Sequence, residues 1–407
     1  MVFQTNSNIL CSYKKQTALG SPASGSAASV LRLSGGNGIK LAKAAIASAE
    51  VRNDGMSTRG RHGTQAITAA YNAELSLGSH DGIIEALMRS TWDSAALTKS
   101  QTDFTSLTTG ANTIILTSGN PITMGFRVGD VIRCAGLTDV ANNAKNLRIT
   151  GLSATTITVA ETLVVDAVAD TSCTITRSGK RLINPAVLVK PYYTLEEYEG
   201  DIDQSTTVQD FVWGGLKFSM ANNGLVMAAP SGVGIGQVAA LATGSSPMFT
   251  APVATTDVPM SVVDATIRLN GVDQVALSAL DINLDIQPGS PPVFGSGAQK
   301  FGADVFTGPL LVSMNLTMLR KDLAVFSDFI AETQYSLNLL AVDNMTEPKD
   351  FIAITVPNFT LGSTDPSALS KQGGGRTQSI AIPAGLVGVD TSATGDNTML
   401  KFQTTAP

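Results

Sequence analysis

The side chains that could do covalent or metal chemistry in this chain of 407 residues are few: two histidines and three cysteines. His62 lies in an Arg-Gly-Arg-His-Gly segment, 59–63, and His80 stands where a helix should start. Neither has a Ser or Cys at a spacing that pairs a nucleophile with its base. His62 reads as a solvent-facing imidazole and His80 as a capping or partner contact. Cys11, Cys134 and Cys173 lie far apart without CxxC spacing, so they read as separate neutral thiols in a reducing compartment. Gly35-Gly36-Asn37-Gly38-Ile39-Lys40 and Gly232-Val233-Gly234-Ile235-Gly236 are glycine-rich but match neither GxGxxG nor GxxxxGK[ST]. Both read as turns between strands. The carboxylates are spread rather than paired. The chain is therefore expected to have no catalytic residue, no metal and no cofactor.

What remains distinctive is polar residues at every second place of long apolar runs. Ile67, Ala69, Tyr71, Ala73, Leu75 and Leu77 alternate with Thr68, Ala70, Asn72, Glu74 and Ser76. Leu280, Ile282, Leu284 and Ile286 alternate with Asp281, Asn283 and Asp285, and Leu310, Val312, Met314 and Leu316 do the same further on. A period of two with one polar face predicts half-buried antiparallel strands. Further strands are expected over 185–198, 207–220, 225–235, 335–342, 351–361 and 376–383. Two helices are expected, at 82–89 with Ser79 or Asp81 as cap, and at about 320–332.

Charged residues make up 15%, against about 25% in an average soluble domain. Hydrophobic residues are 43% and mean hydropathy is +0.17. These values exclude intrinsic disorder, and no run of about 18 apolar residues predicts a membrane helix. A net charge of −6 gives no general attraction for nucleic acid. The N-terminus lacks the basic start and apolar stretch of a signal peptide. The apolar surplus points to subunit contacts.

The order of elements predicts an internal repeat. Ser29–Gly35 resembles Ala265–Gly271, Ala49-Glu50-Val51-Arg52-Asn53 matches 280–284 in polarity, and in each half a strand leads into a helix and then further strands. Residues 96–180 interrupt the first half only. The expected organisation is a first unit over 1–95 and 181–250, an inserted small all-β module over 96–180 standing away from the body, and a second unit over 251–407.

From Leu31-Arg32-Leu33 through Ile46–Asp54, the 59–63 segment, the alternating strand, and Asp81-Gly-Ile-Ile-Glu-Ala-Leu87 to Thr91-Trp92, the chain resembles the tail tube (major tail) proteins of long non-contractile-tailed bacteriophages. The likeness continues through Phe211-Val-Trp213-Gly214-Gly215, and the insertion resembles the small β-barrel module some of these proteins carry. The resemblance implies a mainly β fold, two tandem tube-type β-sandwich or barrel units each with one flanking helix. It implies a structural virion protein, made in the host cytoplasm, that stacks as rings into the hollow tail tube. The partners it implies are further copies of the chain, other tail proteins, and the tape measure protein and transiting DNA in the lumen. A doubled unit favours a trimeric ring of pseudo-sixfold symmetry over a hexamer. If the polar strand faces line the lumen, Glu50, Arg52, Asn72, Glu74, Asp281, Asn283 and Asp285 would form a net negative wall. Arg59, Arg61 and His62 would dock on a neighbouring subunit. The segments 54–64, short and basic, and 287–304, longer and proline-containing, differ between the halves. Another tail component, a secretion-type tube and a β-rich adhesion protein stay open as alternatives.

Overall fold

The computed structural model describes residues 3–293, 301–344, 346–371 and 373–406; residues 294–300 of the longer 287–304 segment lie outside them. The fold is mainly β, its named strands pair antiparallel throughout, and two α-helices flank them: α1 (Asp81–Met88) and α2 (Ala324–Ile330).

The alternation read from the sequence sets the faces. Ile67, Ala69, Tyr71 and Ala73, then Leu280, Ile282 and Leu284, then Val312, Met314 and Leu316 are all buried, while the residues between them are not. The backbone organiser is the 18-residue strand Gln204–Ala221. Its first part pairs with Tyr193–Glu199 on one side and Val238–Leu241 on the other. Its second part pairs with Met227–Gly234 and Leu277–Asp285. The strand thus passes from one layer of a sandwich into the other. It turns at two irregularities, one where Asp210 adopts a left-handed φ of 55° and one between Trp213 and Gly215. Trp213 fills the corner, with edge-on contacts to Phe211 (4.9 Å), Tyr13 (5.5 Å) and Tyr71 (6.3 Å). α1 packs on the same core through Ile83, Ile84, Leu87 and Met88.

The second half splits that long strand in two. Phe351–Phe359 stays in an outer sheet with Tyr335–Val342, Thr266–Leu269, Lys401–Thr404 and Lys180–Ile183, and Ser363–Pro366 joins the inner one. Thr266–Leu269 flanks Tyr335–Val342 as Ile9–Lys15 flanks Tyr193–Glu199. Its counterpart is therefore Ile9–Lys15, not 29–35 as the sequence likeness suggested.

The insertion forms its own eight-stranded sheet, with Asp166–Asp170 and Leu97–Lys99 as its outermost strands, around Phe104, Phe126, Ile132, Leu147, Ile157 and Ile175. Cys134 and Cys173 are buried there, and all three cysteines are free. Burial pushes the Cys134 thiol up to about 12.

The module does not stand away from the body. Val131 packs on Leu340, Val342, Phe351 and Ala353, the face of the outer sheet opposite to Leu339, Ile354 and Phe402 in the main core. Gln403 donates to Val131 O at 2.7 Å and accepts from its N–H at 2.8 Å. Lys401 Nζ lies 3.0 Å from Asp130 and 2.6 Å from Asp396, all three buried. The order of layers is inner sheet, core, outer sheet, module.

Other expectations are corrected. Gly232 lies inside Met227–Gly234, where a Cβ would meet Val212 O at 2.4 Å and the Phe211 ring at 2.5 Å. Gly35–Gly38 lies inside the strand Leu33–Ile46, bulged on either side of Gly35-Gly36. Glycine serves close packing and bulges there rather than turns. The 49–53 stretch is not a strand but part of the hairpin connection 47–60, with Val51 97% exposed, while Arg61 and His62 already belong to the strand Arg61–Glu74. Neither Ser79 nor Asp81 caps α1. His80 occupies the N-cap position without a capping bond, and Ser79 Oγ bonds Ser76 O and His80 Nδ1 instead. His80 is buried, which lowers its pKa to about 4. α2 is shorter than 320–332 and buries none of its residues.

Replacing Lys401 by Met leaves buried Asp130 with Arg181, 3.9 Å away, as its nearest remaining cation, while Asp396 keeps its 2.7 Å contact to Arg181. Stability should fall by about 3 kcal/mol or more in chemical denaturation, and adding Asp130→Asn should recover part of it. A neutral Lys401→Met variant would show that the ion cluster does not hold the module.

Candidate assembly surface

Eight strands lie side by side in the inner layer: Leu33–Ile46, Arg61–Glu74, Met227–Gly234, the second part of Gln204–Ala221, Leu277–Asp285, Leu311–Leu319, Thr377–Ile382 and Ser363–Pro366. Directly paired residues in a ladder share a face, so cross-strand rows can be followed across the sheet. Ala73, Ala228, Phe218, Ile282, Met314 and Ile382 form one such row, and all of them are buried. The neighbouring row runs Glu74, Met227, Ser219, Asp281, Asn315, Ala381 and Ser363, and none of these is buried. Lys217, Asn283 and Ser313 form part of the next exposed row. Among the described residues nothing covers this second face.

Five of the seven proposed wall residues fall on it: Asn72, Glu74, Asp281, Asn283 and Asp285. Glu50 and Arg52 do not, because they sit in the 47–60 connection at the hairpin tip. There Arg52 Nε bonds Asp54 at 2.9 Å, holding that carboxyl below its usual range, and Thr58 donates to Glu50. Arg59, Arg61 and His62 lie on the same projecting hairpin, exposed, and neither arginine enters an ion pair among the described residues.

Sequence reasoning passed over Lys217. Its ammonium lies 2.9 Å from Asp281 on the bare face, and Arg32 lies 3.5 Å from Glu74. The signal was present, since Lys217 fills the polar slot between Leu216 and Phe218. The face is thus lined by amides, hydroxyls and two carboxylates with a cation beside them, Glu74 and Asp281, together with Asp285, which has no ion pair among the described residues.

Both ends of this sheet are open. Among the described residues Leu33–Ile46 pairs only with Arg61–Glu74, and Ser363–Pro366 only with Thr377–Ile382. Beside the first edge lies a cleft of about 590 Å³ lined by Leu33, Gly35, Gly36, Gly38, Tyr71 and Glu197. Glu197 accepts from Tyr71 Oη at 2.6 Å and from the Ile39 N–H at 2.8 Å, so its carboxylate is spent on structure. Among the described residues no group of three His, Cys, Asp or Glu side chains is placed to hold a metal.

A family model described as phage tail tube protein matches residues 6–384. No curated protein matches the chain.

The Lys217–Asp281 pair is half exposed, so it should matter little for folding. Lys217→Glu should lower stability by less than about 1 kcal/mol, and Lys217→Glu with Asp281→Lys should restore it, as read by urea denaturation. A loss of several kcal/mol would mean that this face is covered in the folded subunit.

Proposed function

The chain belongs to the phage tail tube protein family and is a structural component of a phage tail, and from that premise we propose that three copies close a ring whose bore is the bare face of their inner sheets. Stacked rings then form the conduit for DNA, and the protein works by shape and self-association, without catalysis. The observation that carries this reading is a sheet eight strands wide, apolar and covered on one face, polar and uncovered on the other, and open at both ends. An isolated soluble subunit has no use for such a surface, because open edges invite uncontrolled pairing. A closed barrel removes them.

Three copies are favoured over six because the four-strand arrangement occurs twice in each chain. Hairpin Leu33–Ile46 with Arg61–Glu74 is followed by α1, and hairpin Leu277–Asp285 with Leu311–Leu319 by α2. In each half the remaining two inner strands return with the later one beside the hairpin.

Asn72, Glu74, Lys217, Asp281, Asn283, Asp285 and Asn315 would face the lumen. A wall of amides, hydroxyls, the Glu74 and Asp281 ion pairs and the carboxylate of Asp285 offers phosphates no cluster of free cations, so DNA and the tape measure protein can pass without the binding that released counterions would drive. The module lies beyond the outer sheet, which supports a place on the exterior of the proposed tube. The hairpin tip, with Arg59, Arg61, His62 and the exposed Val51 and Met56, is the proposed contact to the next ring.

Electron microscopy of the purified protein should give rings or tubes of constant bore with threefold symmetry. Monomers at high concentration would overturn the tube reading, and sixfold rings would overturn the three-copy stoichiometry. Reversing charge at Arg59 and Arg61 together should leave rings intact while blocking their stacking, read as loss of long tubes. Full-length tubes from that variant would remove the hairpin from the stacking contact.

A further inference from the structure

We infer that ring closure copies a junction already present inside each chain: the edge strand Ser363–Pro366 of one copy adds antiparallel to Leu33–Ile46 of the next, with Thr364 opposite Gly36. The inference rests on the tube reading above and gives it a specific contact and register.

The argument starts from strand order. In the first half the inner strands stand in the order Leu33–Ile46, Arg61–Glu74, Met227–Gly234, Gln204–Ala221. In the second they stand in the order Leu277–Asp285, Leu311–Leu319, Thr377–Ile382, Ser363–Pro366. The two orders have the same connectivity, so Ser363–Pro366 is the counterpart of the second part of Gln204–Ala221, and Leu33–Ile46 that of Leu277–Asp285. Inside the chain, the last strand of the first set pairs with the first strand of the second. The operation that relates the halves, applied once more, brings the last strand of the second set to the first strand of another copy. Those two strands are the open edges.

The register follows from equivalent residues. Ala73 precedes α1 and Leu316 precedes α2 by the same interval, so the two are equivalent. Ala73 pairs with Leu33 and Ala228, and Ala228 with Phe218. Leu316 pairs with Leu280 and Ile380, and Ile380 with Thr364. Thr364 is therefore the counterpart of Phe218. At the internal junction Phe218 faces Ile282, which faces Met314. Met314 is equivalent to Tyr71, and Tyr71 faces Gly36. On the bare face, the contact Lys217↔Asn283 becomes Ser363 against Asn37-Gly38, the bulged pair opposite Ala70.

The two edges are built unequally, as a selective contact requires. Ser363–Pro366 is short and ends in Asp365 and Pro366, features that block casual strand addition. Leu33–Ile46 carries the glycine bulges, which make its outline fit a particular partner rather than any flat strand.

Cysteine pairing tests this cleanly, because the three native thiols are buried. Asn37→Cys with Ser363→Cys should, after mild oxidation of assembled tubes, give covalent trimers on a non-reducing gel that dithiothreitol returns to monomers. Lys40→Cys with Ser363→Cys, a register slipped by two, should give none. A mixture of the two single variants Asn37→Cys and Ser363→Cys should give dimers only, which keeps the test available if the double variant folds poorly. Tubes that cross-link through Lys40→Cys, or through neither pair, overturn this contact while leaving the tube reading intact. Failure of the unsubstituted protein to form rings overturns both.

Discussion

Unpaired backbone N–H and C=O groups along two sheet edges are the constraint that organises this molecule. A sheet that buries apolar side chains on one face needs its ladder hydrogen bonds completed wherever water is excluded. In the middle of the inner sheet each strand has two neighbours. At Leu33–Ile46 and Ser363–Pro366 it has one. The four-strand order occurs twice along the sheet, and in the proposed ring this replaces one such junction with a covalently tethered one. That removes part of the association entropy from ring closure. In that proposed ring, what is left to association is one junction per copy.

The tethered junction also explains the load carried by Gln204–Ala221. This strand is shared by the outer and inner layers and by both halves, and its bends must be fixed if the eight-strand surface is to have one curvature. Trp213, wedged between Tyr13, Tyr71 and Phe211, fixes them by packing. Gly214 and Gly232 let neighbouring groups approach: a Cβ on Gly214 would meet Pro288 at 2.0 Å. Aromatic bulk on one side and missing side chains on the other therefore set the shape of the surface that assembles.

How far this was legible in the sequence depended on range. The faces of 67–74, 280–286 and 310–316 could be read because strand periodicity is local and one face is apolar throughout, but the alternation fails beyond Glu74, where the strand ends and Ser76 is buried. The placing of Asn72, Glu74, Asp281, Asn283 and Asp285 on the uncovered face followed directly. Glu50 and Arg52 were misplaced because five alternating residues at a hairpin tip look like a strand when nothing shows that Val51 has no core to enter. Glycines 35–38, 232 and 234 read as turns because glycine marks a tight turn and a tight packing contact with the same letter, whereas Gly236, at a φ of 108° between Met227–Gly234 and Val238–Leu241, does turn the chain. The docking of the module was out of reach, since Asp130 and Lys401 are 271 residues apart and neither stands in a recognisable pattern.

The duplication is one of topology more than of surface. α1 buries five residues against the Trp213 core, whereas α2 buries none and leaves Leu323, Phe326 and Ile330 exposed beside Leu319. The outer sheet of the second half carries the module on its far face, held by the Lys401 cluster and Val131. Equal surroundings would let the two halves diverge only neutrally, but a ring built from doubled units alternates them around its circumference. In the proposed ring each half would then differ outward while the inner strands, which would close the barrel, stay matched in order. What the halves share is the sequence of pairings across the inner sheet, and that is the feature a bore of constant width would require in the proposed tube.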